Sequence, residues 1–198
     1  MRLPVSAVAR YVDHLPVEQL RHHYPELPAD SLVDVDVVDD AETLATIPDA
    51  SQDFVVASHV LEHCEDPVAA VKAGLRVLKT GGVAFQAVPD RRFTFDRDRP
   101  ATPLSHVLRD HSEGPAVSRS QHYLEWVTLV DRVPEDGAPA RASVLMASRY
   151  SIHFHVWDDG ALRELLRHCV ESHTPAASLL DFRRNRSENL AVLGPAGA

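Results

Sequence analysis

Three groups of residues have the types and spacing to do chemistry. His59, Glu62 and His63 stand within five positions. On a helix His-x-x-x-His would place two imidazoles on one face, but the glutamate is not at the metalloprotease spacing. His59 is therefore expected to line a pocket and His63 to make a structural polar contact. His153 and His155 are two apart, so on an extended segment they share a face and frame a pocket, bind a metal, or sit as satisfied core histidines. No Asp or Glu stands at a diagnostic third-ligand spacing, so no metal is expected. The loop Asp96-Arg97-Asp98-Arg99, with Arg91 upstream, supplies guanidinium forks for a carboxylate or phosphate. Alternatively it is a solvated loop that pairs its own charges. Of the helical histidines His106, His111 and His122, His106 is the favoured catalytic group because it lies nearest that loop. Ser118, Ser120 and Ser151 have no nucleophile-elbow context.

Composition narrows the classes. A net charge of −9 argues against nucleic acid as the main partner. Cys64 and Cys169 form no metal-binding or disulfide spacing and read as buried thiols in a reduced cytoplasm. No signal-peptide h-region and no run long enough to cross a bilayer are seen, so a cytoplasmic protein with no membrane partner is expected.

The elements that must position these groups follow an alternating order. Val8–Val12 reads as a strand, and Pro16 opens a helix with Val17, Leu20 and Tyr24 on one face. Leu32–Val38 alternates as a half-wet strand, and Phe54–Ala57 is a short buried one. Asp66 caps a helix with Pro67 first and Val68, Val71, Leu75 and Leu78 inward. Gly81-Gly82 is expected to end that helix before a strand at Val83–Val88. Asp90–Pro103 is a long polar loop. Helices are expected near Leu104–His111, Pro115–Val130 and Ala138–Ser148, forming a lid-like insertion at 90–150 within a single domain spanning 1–198. Ser151–Trp157 is extended, with Phe154 and Trp157 packed inward. Asp158 or Asp159 caps a last helix, and Ala177–Phe182 pairs with Asn189–Leu193 as a hairpin. Such an order favours an α/β fold with a parallel sheet.

The string Asp53-Phe-Val-Val-Ala-Ser-His-Val-Leu-Glu-His63, then Asp66-Pro67, then Arg76-Val-Leu-Lys-Thr-Gly-Gly-Val83, resembles class I S-adenosylmethionine-dependent methyltransferases. Val88–Pro103 and Ile152–Trp157 are similar to a small bacterial methyltransferase-like subgroup. The resemblance implies a Rossmann-like sheet with a C-terminal antiparallel hairpin. It implies that Asp13 holds the cofactor ribose, Asp40 and Ala41 bracket its adenine, and Ser58 and His59 pass its methionine end. It also implies a transferase acting on a small molecule, with Arg91, Arg97, Asp98, Arg99 and Trp157 on the substrate side and His59, Asp96, His106, His153 and His155 on the catalytic side. A biosynthetic role in bacterial secondary metabolism is expected.

The family's first strand and Gly-rich loop have no match, because the ten residues before Tyr11 contain no glycine. A shortened chain, a sheet that recruits another chain, and a protein that has abandoned S-adenosylmethionine all stay open. Weak cofactor binding by the chain alone is expected, and so is a homodimer or a complex with another protein. Two other readings remain: a divergent enzyme that performs another displacement or cyclisation, and a non-catalytic scaffold subunit.

Overall fold

A computed structural model describes residues 5–23, 28, 32–174 and 176–196. Two short parallel strands, β1 (Val12–Asp13) and β2 (Val37–Val38), pair with each other. The helix α1 (Val17–His23) lies between them in sequence, and Pro16 accepts its first backbone hydrogen bonds. The predicted strands at Val8–Val12 and Leu32–Val38 are thus much shorter than their sequence patterns suggest. Val8 and Val33 are exposed, because no neighbouring strand covers that length. Tyr24 lies outside the described residues.

The main sheet has the order β3-β4-β6-β5. Strand β3 (Gln52–Ser58) runs parallel to β4 (Leu78–Pro89). Strands β5 (Ala177–Asn185) and β6 (Glu188–Pro195) form the expected hairpin, and β6 lies antiparallel to β4. Among the described residues no strand bridges β1 to β3, so the molecule carries two separate sheets. The valine Val56 in mid-β3 is consequently exposed, although a central parallel strand normally buries both faces.

Helix α2 (Pro67–Arg76) follows β3. The Asp66 side chain accepts from the Ala69 N–H as its cap, and Pro67 needs no donor there. One correction concerns its end. The helix stops at Arg76, and Gly81-Gly82 sits inside β4, where the pairing to β3 slips. There Gly81 takes φ +83°, and a Cβ on Gly82 would stand 3.0 Å from the Lys79 carbonyl and 3.1 Å from that of Asp53. The pair is a bulge device rather than a helix stop.

The insertion carries α3 (Leu104–Glu113), α4 (Arg119–Leu129) and α5 (Ala138–Ala147), close to the expected spans. It has its own apolar core, in which Tyr123, Trp126, Val127 and Leu145 pack on Ile152 and Phe154. The main core joins α2, β4 and β6 to α6 (Asp159–His168), with Trp157 inside it. Asp158 caps α6 by accepting from the Ala161 N–H. The 151–157 segment runs between the two cores and touches β4's end through the Asp90–Trp157 bridge.

Candidate functional site

The carboxyl ends of β3 and β4 lead into the polar residues singled out above, and the 151–157 segment lies over them. His59 leaves β3 with φ 55°, a left-handed conformation uncommon for a side-chain-bearing residue, while its N–H continues the ladder to Ala87. Its Nε2 stands 2.6 Å from Glu188 Oε1 at the hairpin turn, and its Nδ1 stands 3.6 Å from Glu62 Oε1.

Glu62 is the residue that sequence reasoning passed over. It is 1% exposed, and neither carboxylate oxygen has a hydrogen-bond partner. Burial pushes its carboxyl above the ordinary glutamate range, and its own backbone N–H, then His153 and His59, only partly offset that. Its backbone carbonyl accepts from the Phe154 N–H, so the roof segment holds this turn in place. The available signal was a glutamate between two histidines directly after a buried strand.

His63 makes the structural contact expected of it, with Nδ1 3.0 Å from the Ile152 carbonyl and 3.0 Å from Ser151 Oγ. Burial, then the neighbouring His153, lowers it to about 4. Its ring meets His153 edge-on at 4.8 Å. His153 Nδ1 lies 2.7 Å from Asp96 Oδ2, and the Arg99 guanidinium donates to Asp96 Oδ1 at 2.9 Å. Burial opposes the charge on Asp96, but His153 and Arg99 outweigh it, and the carboxyl sits below its usual range.

The arginines of the loop are largely engaged by the protein itself. Arg99 is 1% exposed and donates also to Glu125 and to the His153 and Phe154 carbonyls. Arg91 donates to the Arg97 and Arg99 carbonyls. Asp98 pairs with Arg132, and Arg97 stays exposed, with Asp98 only 4.0 Å away. Trp157 is buried and stacks on His155.

His153 and His155 enter different clusters. His155 joins His106 and His122, whose rings lie 5.8 and 4.9 Å from it, around the buried Asp110. The residues expected on the catalytic side are therefore divided between two adjoining polar clusters, and Arg97 reaches neither by any hydrogen bond.

The predicted cofactor residues lie at the ends of the short strands. Asp13 is half-buried. Desolvation works against its charge, yet His14, 3.0 Å away, and the Leu15 N–H hold its carboxyl below the usual range. Asp40 Oδ1 accepts from the Glu42 N–H, and Ala41 packs against the main core. Asp39, rather than Asp40, organises this turn by accepting from Asp40, Ala45 and Thr46. Ser58 is exposed at the end of β3.

Residues 11–85 match the family model described as "Methyltransferase domain", which bears out the methyltransferase resemblance of the sequence. A relative from Mycolicibacterium smegmatis, described as "Probable S-adenosylmethionine-dependent methyltransferase", is 36% identical over 106 residues. That stretch is 50% of this chain and 38% of the relative, so the match spans well under half of the relative's length. Among solved structures, one from Rhodobacter sphaeroides described as "Putative Zn-dependent Alcohol Dehydrogenases" superposes with a TM-score of 0.51. It covers 90% of this chain and 70% of its own, at 15% identity. At that identity the likeness speaks for the fold alone, which is α/β and Rossmann-like. A Methanosarcina mazei protein described as a SAM-dependent methyltransferase has a TM-score of 0.44, 16% identity, and coverage of 92% and 78%.

Proposed function

We propose that the protein is a methyltransferase-like transferase that acts on a small molecule at the carboxyl ends of β3 and β4. The observation that carries this reading is the buried, unpaired Glu62 carboxylate beside His59, where two parallel strands end. Ligands of open α/β sheets collect at that edge, and a buried carboxylate beside an imidazole is an arrangement that functional sites use.

The donor set suits S-adenosylmethionine on one side. Asp13 and Asp40 end two parallel strands and offer carboxylates to ribose and adenine, with Ala41 leaving room beside them, and Ser58 and His59 face the methionine end. On the other side, no described strand fills the space between β1 and β3. When bound, the cofactor supplies an electrophilic methyl group. The chain's own residues then orient the acceptor and take its proton: His59 receives it from the nucleophile and Glu62 carries the balancing charge. The acceptor displaces Glu188 from His59 Nε2. Asp96 and His153 act as positioning residues that fix the roof.

Val12 and Val38 on the β1–β2 pair and Val56 on β3 are exposed apolar side chains. Unpaired edges of this kind favour a second chain, and we extend the proposal to a homodimer or a complex with another protein.

Calorimetry and turnover test the reading. S-adenosylmethionine is expected to bind the isolated chain weakly or not detectably, and micromolar binding would overturn that part. Release of the demethylated cofactor during incubation with small-molecule acceptors, with any partner present, reports turnover. His59→Ala and Glu62→Gln should each lower it at least about tenfold, roughly 1.4 kcal/mol of transition-state stabilisation, with little change in melting temperature. Full activity in both variants sinks the assignment.

A further inference from the structure

We infer that His106, Asp110, His122 and His155 form a binding site for a divalent transition-metal ion, zinc by ligand type, that clamps the helical insertion onto the roof segment. The inference stands on this cluster alone and is independent of the transferase reading.

The four side chains come from three elements. His106 and Asp110 are four apart on α3 and share a face, His122 comes from α4, and His155 from the 151–157 segment. Asp110 Oδ2 lies 3.1 Å from His106 Nε2, 3.5 Å from His122 Nε2 and 4.0 Å from His155 Nε2. The two imidazole nitrogens of His106 and His122 are 3.1 Å apart. Bonds of about 2.0–2.1 Å in a tetrahedron put neighbouring donors about 3.3 Å apart. Three of the donors already stand at that spacing.

A buried carboxylate with an unused oxygen stands at the centre of the cluster. Asp110 is wholly buried, its Oδ1 has no hydrogen bond, and Ser118 Oγ donates to its Oδ2 at 2.8 Å. The nearest guanidinium nitrogen, on the half-exposed Arg109, is 3.9 Å from Oδ1. His122 Nε2 lies within 3.5 Å of both Asp110 Oδ2 and His106 Nε2.

His106 is the partly exposed member and gives the entry path. Arg109 Nη2 stands 3.3 Å from its Nδ1, and Asp110 Oδ2 stands 3.1 Å from its Nε2. Metal binding at Nε2 puts the ring proton on Nδ1, and Arg109 turns out to solvent. His155 leaves the Glu65 carbonyl, 3.1 Å from its Nε2, to close the fourth corner. Three imidazoles and one carboxylate with no open position describe a structural rather than a catalytic metal.

The test is metal retention. Full-length protein is stripped with a chelator, dialysed against zinc chloride, washed, and analysed by mass spectrometry for metal per chain. About one zinc per chain is expected, and cobalt in its place should give the intense visible bands of a tetrahedral site. His106→Gln and Asp110→Asn should each lower occupancy at least about tenfold, while His106→Cys restores it with a sulfur charge-transfer band. His63→Gln, in the neighbouring Glu62–His63–His153 cluster, should retain the metal. Wild-type protein that holds no zinc overturns the inference. So does zinc that survives the His106 change, or zinc lost with His63→Gln alone. Circular dichroism checks each fold; if Asp110→Asn does not fold, the two His106 variants decide.

Discussion

The roof over β3 and β4 and the small β1–β2 sheet are built on opposite principles. Over β3 and β4 the roof is dense: Arg99, Asp96, His153 and Glu62 are all buried, and most of their polar atoms are tied to one another or to backbone. In the β1–β2 sheet only two residues of each strand pair, and Val12 and Val38 are exposed, as is Val56 on β3. The roof needs each of its partners, because removing one strands a charge away from water. The edge lacks something to cover it, and its side chains lose little when changed. Rigidity is thus concentrated where proton transfer is proposed, and the edge is left for a ligand or another chain.

The largest effect should come from the roof. Arg99→Ala leaves Asp96 buried without its partner and opens the contacts to Glu125 and two carbonyls. It should cost about 3–5 kcal/mol of unfolding free energy by denaturant titration; a loss below about 1 kcal/mol would mean the roof is wetter than it is drawn.

Acid should loosen the same region. The unfolded His63 imidazole takes a proton near pH 6.5, but the folded one only near 4, because burial disfavours its charge. Between those values the unfolded state binds more protons, so stability falls as pH drops from about 6.5 to 4, by roughly 3 kcal/mol for this group. His63→Gln should flatten that part of the melting-temperature profile, and an unchanged slope would assign the acid sensitivity elsewhere.

Helix capping gives an intermediate effect. Asp66→Ala removes the bond from the Ala69 N–H and the contact to His111 Nδ1, and about 1 kcal/mol should be lost. The smallest effect is expected at the edge: Val38→Thr should change stability by less than about 0.5 kcal/mol in the isolated chain. Should Val38→Thr instead dissociate an assembly seen by light scattering, the edge is an interface. A monomer at high concentration would remove the assembly proposal.

Much of the fold was legible from local pattern. The apolar periodicity placed α3 to α6 and the hairpin within a few residues, and Asp66 and Asp158 announced their helices because capping is a contact three residues long. The Gly81-Gly82 pair misled, since two glycines serve a bulge as well as a helix stop, and only the slip of β4 against β3 distinguishes them. Val8–Val12 and Leu32–Val38 had strand patterns without the neighbours that turn a pattern into a ladder.

The sequence by itself determined the order of elements and the histidines and acidic residues available for chemistry. Only the tertiary structure decided how they group. Alternation along an extended segment said that His153 and His155 share a face, yet one meets Asp96 and the other approaches Asp110, because α3 and α4 pack over one end of that segment and the Asp96–Arg99 loop over the other. Glu62 gained its raised carboxyl, and Arg99 its structural rather than ligand-binding role, from the same burial. Burial depends on contacts between residues distant in the chain, such as Glu62 with Phe154 and Arg99 with His153, and a local pattern carries no record of them.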